Sequence, residues 1–316
     1  VSLLKNPDRG FIATANNKDL DQYPFELNAS YAPFYRYENI AVMLRDKRGI
    51  DVEYCKAMQT DTRTVLAKKV QGFIKEHVKV DEKNVTEKKA YDTVMAWDGD
   101  NRKDSSGASI YNTFYVRFAM QILADELGFD LAAEYVGERY ISMERILAMV
   151  EQGSEFFDDV TTPEKESVSG IAGRAFKETC ELLKKASGED DPSKWAWGGV
   201  HKIRFDHVLG KSALFRPLVN YGPLPFEGDG ETNDRARFNE VAPPYIADLA
   251  SAPRIIVKFD PQPKGHMMLI TGASEHFMSR HNTDMTDAWL RHEYFSVDEE
   301  PVKYRMSMAP AGKPVK

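Results

Sequence analysis

Residues 107–127, GASIYNTFYVRFAMQILADEL, carry apolar side chains around the whole helical circumference, not along one stripe. A helix of this kind is stable only when neighbours cover it on every side. The rest of the chain must therefore supply amphipathic elements to enclose it, and the flanking sequence does. Residues 33–47 read as a helix stopped near Gly49, and Asp51 is placed to cap the next one. Over 62–78 the residues Leu66, Val70, Phe73 and Ile74 share one helical face. A further helix ends at the Asp98-Gly99 turn, and Gly128 caps the central helix. Residues 131–151 continue as helix. Thr162 and Pro163 read as cap and first residue of the last one. Its stripe runs Val168, Ile171, Ala172, Ala175, Phe176 and Leu183, and Gly188 closes it.

The strands lie at the two ends of the chain. Residues 6–17, NPDRGFIATANN, read as a turn, then an alternating strand, then two adjacent amides. RIIVKFD (254–260) and GHMMLITG (265–272) read as paired strands joined by PQPK, and PVKYRMSM near the end as a third. Residues 209–250, dense in Pro and Gly, read as loops. The reading is three segments: 1–32 a core strand segment, 33–195 helical, and 196–316 loop-rich and returning to the sheet.

Charge and composition exclude several functions. The net charge is −7, so bulk electrostatics give no attraction to nucleic acid or to an anionic membrane. Lys88-Lys89 and Lys184-Lys185 are short enough to be solvated helix faces. No apolar run reaches the length that crosses a bilayer. The two cysteines, Cys55 and Cys180, fall in helical patterns without metal or redox spacing. Free thiols are expected, with a disulfide as the alternative. His201, His207, His276, His281 and His292 have no zinc-protease spacing and read as structural or surface residues. GDGETND (228–234) lacks the EF-hand register and reads as an ordinary acidic loop. No nucleophile elbow or phosphate loop is present.

The order of the fragments carries more than any one of them. NPDRGFIATANN and YPFELNASYAPFYRYENI are followed by MQTDTRTVLAKKV, AWDGD, WGGVHKIRFDHVLG, GDGETN, SAPRIIVKFD and GASEHFMSRHNTDMTDAW. This series resembles the penicillin acylase family of N-terminal-nucleophile hydrolases. The resemblance implies an α+β fold, a helical block plus strands of an αββα sandwich that this chain only partly contains. It also implies self-cleavage of a precursor, and a serine at the new N-terminus that attacks an amide with its own α-amine as base.

By that resemblance Asn16 is the side-chain donor to the oxyanion and Arg36 organises the site, while Asn17 is structural. On its residues alone, Arg36 could equally form a helix-surface ion pair with Glu38 or Asp46. The chemistry requires no cofactor. A structural calcium is implied for some members, and Glu26 is the nearest carboxylate. Only fifteen residues precede Asn16 and the chain begins with Val1, so a processed chain or fragment is expected. The nucleophile would lie on an upstream part of the larger chain, with a separate smaller chain as partner. Strands at 10–15 and 254–272 would then be torn edges. GASEHF departs from the family pattern at Ala273 and Glu275. The expected substrate is a small N-acyl amide, of the β-lactam side-chain or acyl-homoserine lactone type. The expected location is periplasmic or extracellular, with no nucleic-acid or membrane partner. The alternative is an inactive interaction module that kept the scaffold.

Overall fold

A computed structural model describes residues 5–18 and 31–297, apart from 138, 154, 159–162 and 164. Among the described residues the helical part holds α1 (Tyr35–Asp46), α2 (Val52–Gln59), α3 (Ala67–His77), α4 (Val85–Ala96), α5 (Ser106–Leu127), α6 (Phe129–Gly137), α7 (Arg139–Gln152) and α8 (Val168–Ser187). The starts of α2 and α4 follow capping chemistry, whereas α1 and α3 begin without a side-chain cap. The Asp51 carboxylate accepts from the Tyr54 N–H at 2.8 Å, and Asn84 accepts from Glu87 at 3.2 Å.

The start of α8 differs from the expectation. It begins at Val168, where the Ser167 hydroxyl accepts from the Gly170 N–H at 3.1 Å. Pro163 lies before the helix, and Thr162 lies outside the described residues. Ser167 caps the segment whose apolar stripe begins at Val168, so the amphipathic face sets the boundary. Gly188 ends α8 with φ 72°, as a left-handed cap.

The central helix α5 is buried along most of its length. Phe114, Phe118 and Phe176 meet beside it, with ring centroids 5.9 Å apart for the first pair and 6.0 Å for Phe114–Phe176. Each such side chain removed from water contributes on the order of 1.5–3 kcal/mol. Cys180 packs in this cluster and Cys55 is half-buried; both are free thiols.

After α9 (Trp197–Val200) the chain enters β1 (His201–Phe205), α10 (Arg216–Val219), β2 (Tyr221–Pro225), β3 (Ala236–Phe238) and β4 (Tyr245–Ala250). The stretch read as loops thus holds three strands. They form a sheet in the order β2-β1-β4-β3, with β1 and β4 parallel and the outer pairs antiparallel. Short, proline-bearing strands escape a pattern search because they have too few alternating residues. The sheet is tied to α5 by the Tyr245 hydroxyl, 3.1 Å from that of Thr113, and by Arg117, which donates to the Val241 carbonyl at 3.0 Å. His201 is fully buried, stacked on Trp197 at 4.5 Å, which makes it a core residue.

The chain divides into two compact units: one up to Ser251 together with His276–Met278, the other Ala252–Glu275 and from Ser279 on. The second unit contains β5 (Arg254–Lys258), β6 (Lys264–Met268), α11 (Thr286–Leu290) and β7 (Phe295–Ser296). β5 and β6 pair antiparallel across the expected connection, with Arg254 opposite Met268, and β7 pairs with β6. The strand expected over PVKYRMSM lies outside the described residues. Buried Arg254 donates to the Trp289 carbonyl at 2.9 Å and stacks over its ring at 4.8 Å. Among the described residues no helix is long and apolar enough to cross a membrane.

Candidate functional site

The strand expected at 10–15 is not formed: Gly10 turns left-handed with φ 77°, and only the alternation of burial survives, with Ala13 and Ala15 buried and Ile12, Thr14 and Asn16 exposed. It has no ladder among the described residues; its one bridge joins Asn17 to Ala32 in parallel. At Asn16 the backbone turns left-handed, with φ 63°, a conformation asparagine tolerates better than most residues. Two contacts fix that turn. The Ala32 N–H donates to the Asn16 carbonyl at 2.8 Å, and the Asn17 side chain folds back so that its Oδ1 accepts from the Ala15 N–H at 3.0 Å. Asn17 is buried and serves the backbone, whereas Asn16 faces outward.

Arg36, in the first turn of α1, reaches back to this turn. Its Nη2 donates to the Ala15 carbonyl and to Asn16 Oδ1, each at 2.9 Å. The ion pairs with Glu38 or Asp46 are not what it makes. A guanidinium has no acceptor, so this contact fixes which end of the Asn16 amide faces it. Oδ1 turns toward Arg36, the Nδ2 hydrogens turn away, and no described group accepts them. The adjacent cation also polarises the amide, which strengthens Nδ2–H as a donor.

Burial, then the neighbouring Arg235 cation, push the Arg36 guanidinium below its ordinary value, and the Glu231 carboxylate opposes them. An arginine starts high enough to stay charged throughout. Among the described residues its buried Nε has no hydrogen-bond partner, and the contacts run through Nη2.

The acidic loop is where the sequence says least. Asp229, Glu231, Thr232 and Asp234 are all buried, not solvated. Asn112 of α5 donates to Asn101 Oδ1 at 2.8 Å, and Asn101 donates to Asp229 Oδ2 at 3.2 Å. From the same loop the Asp234 N–H donates to the Asp61 carbonyl at 3.0 Å. Asn39, one turn after Arg36, donates to Asp61 Oδ1 at 2.9 Å. A continuous polar chain thus runs from the central helix through the loop to the helix that carries Arg36. Glu231 and Arg235 belong to the electrostatics of the site. Only the clustering of charge in GDGETNDR could have pointed to them.

The described residues hold no group of three or more His, Cys, Asp or Glu side chains that could bind a metal. Glu26, the carboxylate nearest to the expected calcium position, lies outside the described residues.

The family model of penicillin amidase matches residues 3–303. An acyl-homoserine lactone acylase, QuiP, of Pseudomonas aeruginosa is 25% identical over 94% of this chain and 38% of its own length. Penicillin acylase 2 proenzyme of a Pseudomonas species (strain SE83) is 24% identical over 90% of this chain and 36% of its own. Among solved structures, a thermostable penicillin G acylase from Alcaligenes faecalis aligns with a TM-score of 0.57 at 15% identity. That alignment covers 98% of this chain and 58% of the acylase, and it supports the α+β N-terminal-nucleophile hydrolase fold. The chain spans about 38% of the length of the curated relatives it matches. With the family model matched along nearly its whole length, the chain belongs to the penicillin amidase family.

Proposed function

We propose that this chain is the part of an N-acyl amidohydrolase that supplies the side-chain half of the oxyanion hole. The observation that carries the reading is the contact between Arg36 Nη2 and Asn16 Oδ1, which leaves the Nδ2 hydrogens of a rigidly held amide facing outward. In the proposed reaction a serine at a processed N-terminus, on polypeptide preceding this chain, attacks the acyl carbonyl. Its hydroxyl proton passes to its own α-amine. The oxyanion that forms accepts a hydrogen bond from Asn16 Nδ2 and one from backbone on the preceding polypeptide. Collapse breaks the C–N bond, the leaving amine takes the proton, and water then hydrolyses the acyl ester. A neutral amide suits this role because it stabilises developing negative charge without adding a full charge beside the amine base. Arg36 acts one step back, as the residue that holds the amide.

The proposed substrate is an N-acyl amide, either an acyl-homoserine lactone or the side-chain amide of a β-lactam, a reading supported by the names of the relatives. The chemistry uses no redox or organic cofactor, and a calcium near residue 26 would be structural. A smaller chain and the preceding part of the larger one are the proposed partners. A periplasmic or extracellular location goes with this reading.

The test uses the full-length precursor expressed from its native gene. Intact-mass analysis is expected to show two chains, the larger beginning with the nucleophile, and a chromogenic N-acyl amide to be turned over. Asn16→Ala is expected to lower kcat about 100- to 1000-fold with little change in KM. An uncleaved chain without turnover would leave the inactive scaffold as the better account.

A further inference from the structure

The segment that follows β1 combines two features with no role in amide hydrolysis. Residues 211–218, KSALFRPL, are exposed without interruption. Leu214 is 77% and Leu218 72% exposed, and Val208 just before them 78%. Val208, with Lys211 and Arg216 of the same segment, lines a pocket of about 430 Å³ together with Arg204, Asp206, His207 and Asn220.

The pocket is built and leaves positive charge over. Asp206 is the one carboxylate among those lining residues. It accepts from Arg204 Nε and Nη2 at 2.7 and 2.8 Å and also from Asn220. Asn220 Oδ1 in turn accepts from the His207 N–H at 3.1 Å. Gly210 is required here, because a Cβ would fall 1.9 Å from Asn220 Oδ1. Arg216 uses Nε on the Gly210 carbonyl at 3.2 Å, which leaves its two Nη groups. The Lys211 ammonium makes no hydrogen bond or ion pair with any described residue. His207 Nδ1 accepts from the Leu209 N–H at 3.2 Å, so Nε2 carries the ring proton and is a donor.

Lys211 without a described partner, Arg216 sharing the one Asp206 carboxylate with Arg204, and bare leucines together suit one kind of partner better than another. A protein interface would bury Lys211 and Arg216 among apolar groups, which is costly without carboxylate partners and is why lysine is depleted from interface cores. A lipid surface takes leucine and valine into the acyl boundary and leaves the cations at the plane of the phosphates. We propose that this loop is a peripheral docking site for an anionic phospholipid surface. The lipid phosphodiester would sit in the pocket between Arg204 and Arg216, with Val208, Leu214 and Leu218 entering the acyl boundary. The chain's net charge of −7 opposes approach as a whole, so the contact is local, reversible and salt-sensitive. It is independent of the hydrolase reading, since nothing in it depends on Asn16 or Arg36.

The experiment is flotation of the full-length protein with phosphatidylcholine vesicles, with and without phosphatidylglycerol, at low and physiological salt. Binding is expected only with phosphatidylglycerol and is expected to weaken with salt. Lys211→Ala should lower the partition coefficient about fivefold. Leu214→Ser with Leu218→Ser should lower it roughly tenfold, and both side chains are exposed, so the fold is kept. Equal partition to both vesicle types, or partition unchanged in these variants, overturns the proposal. So does inorganic phosphate binding in the pocket without vesicle binding. Hydroxyl-radical protection of Val208, Leu214 and Leu218 in the free full-length protein would assign the surface to the rest of the polypeptide and also overturn it.

Discussion

The central helix α5 and the strand β5 are two of the most apolar stretches of the chain, and they end in opposite conditions. α5 is enclosed by its neighbours along most of its 22 residues. β5 leaves Ile255 and Val257 about half exposed, and Phe259 just beyond it is 89% exposed. A helix satisfies its own backbone hydrogen bonds and needs only lateral cover, which amphipathic helices close in sequence can give. A strand needs a partner at each edge and cover on its face. β5 pairs with β6 along one edge. The lesson is that the helical block encloses its most apolar helix on all sides, whereas β5 keeps one face open to solvent.

Three measurements would break or sharpen that contrast. The largest effect belongs to Phe114→Ala, which removes the ring lying between Phe73, Phe118 and Phe176. It is expected to cost about 3–5 kcal/mol in urea denaturation followed by circular dichroism. A loss under about 1 kcal/mol would mean the enclosure is looser than its burial suggests.

The next concerns Cys180 in α8. Burial, then the charges of Glu87 and Glu181, push its thiol up to about 12, while an unfolded thiol ionises near its ordinary value. The folded form therefore holds its proton where the unfolded chain has lost it. That contribution is complete below the ordinary thiol range and is lost as pH rises from there toward 12. Stability of the Cys180→Ala variant should accordingly fall less steeply over that alkaline window than that of the parent. A thiol reagent at neutral pH should label half-buried Cys55 before Cys180. Equal labelling rates would show that the block opens readily.

The smallest effect is the most diagnostic of the contrast. Val257→Thr, on the exposed face of β5, should change the stability of this chain by no more than about 0.5 kcal/mol. A clear loss in the full-length protein alone would show that preceding polypeptide covers that face. A clear loss in this chain would show that the face is already covered.

The helices were the legible part. The cap at Asp51, the all-round apolarity of α5 and the glycine stop at Gly188 are local features, and local chemistry decides them. The pairing of β5 with β6 was legible for the same reason, since two short apolar runs are joined by one short proline-bearing connection. The start of α8 was misplaced because a threonine-proline pair and a serine five residues later offer equally good caps, and burial of the stripe chose between them. The strands of the four-stranded sheet were hidden because β1 pairs with β4 across more than forty intervening residues, and no local period encodes such a partner.

The candidate site divides in the same way. The sequence by itself determined the two amides after an alternating stretch, the arginine in the first turn of a helix, and through the ordered fragments the family they resemble. It could not say that Arg36 grips Asn16 Oδ1, because twenty residues separate them and a helix-surface ion pair was equally available. Nor could it say that GDGETND is buried. Acidic side chains go inside only when donors meet them there, and for Asp229 those donors are the Asn101 amide and the Glu231 N–H of the turn itself. Tertiary structure decided both matters, since the orientation of an amide and the cost of a buried charge depend on what the rest of the chain brings near them.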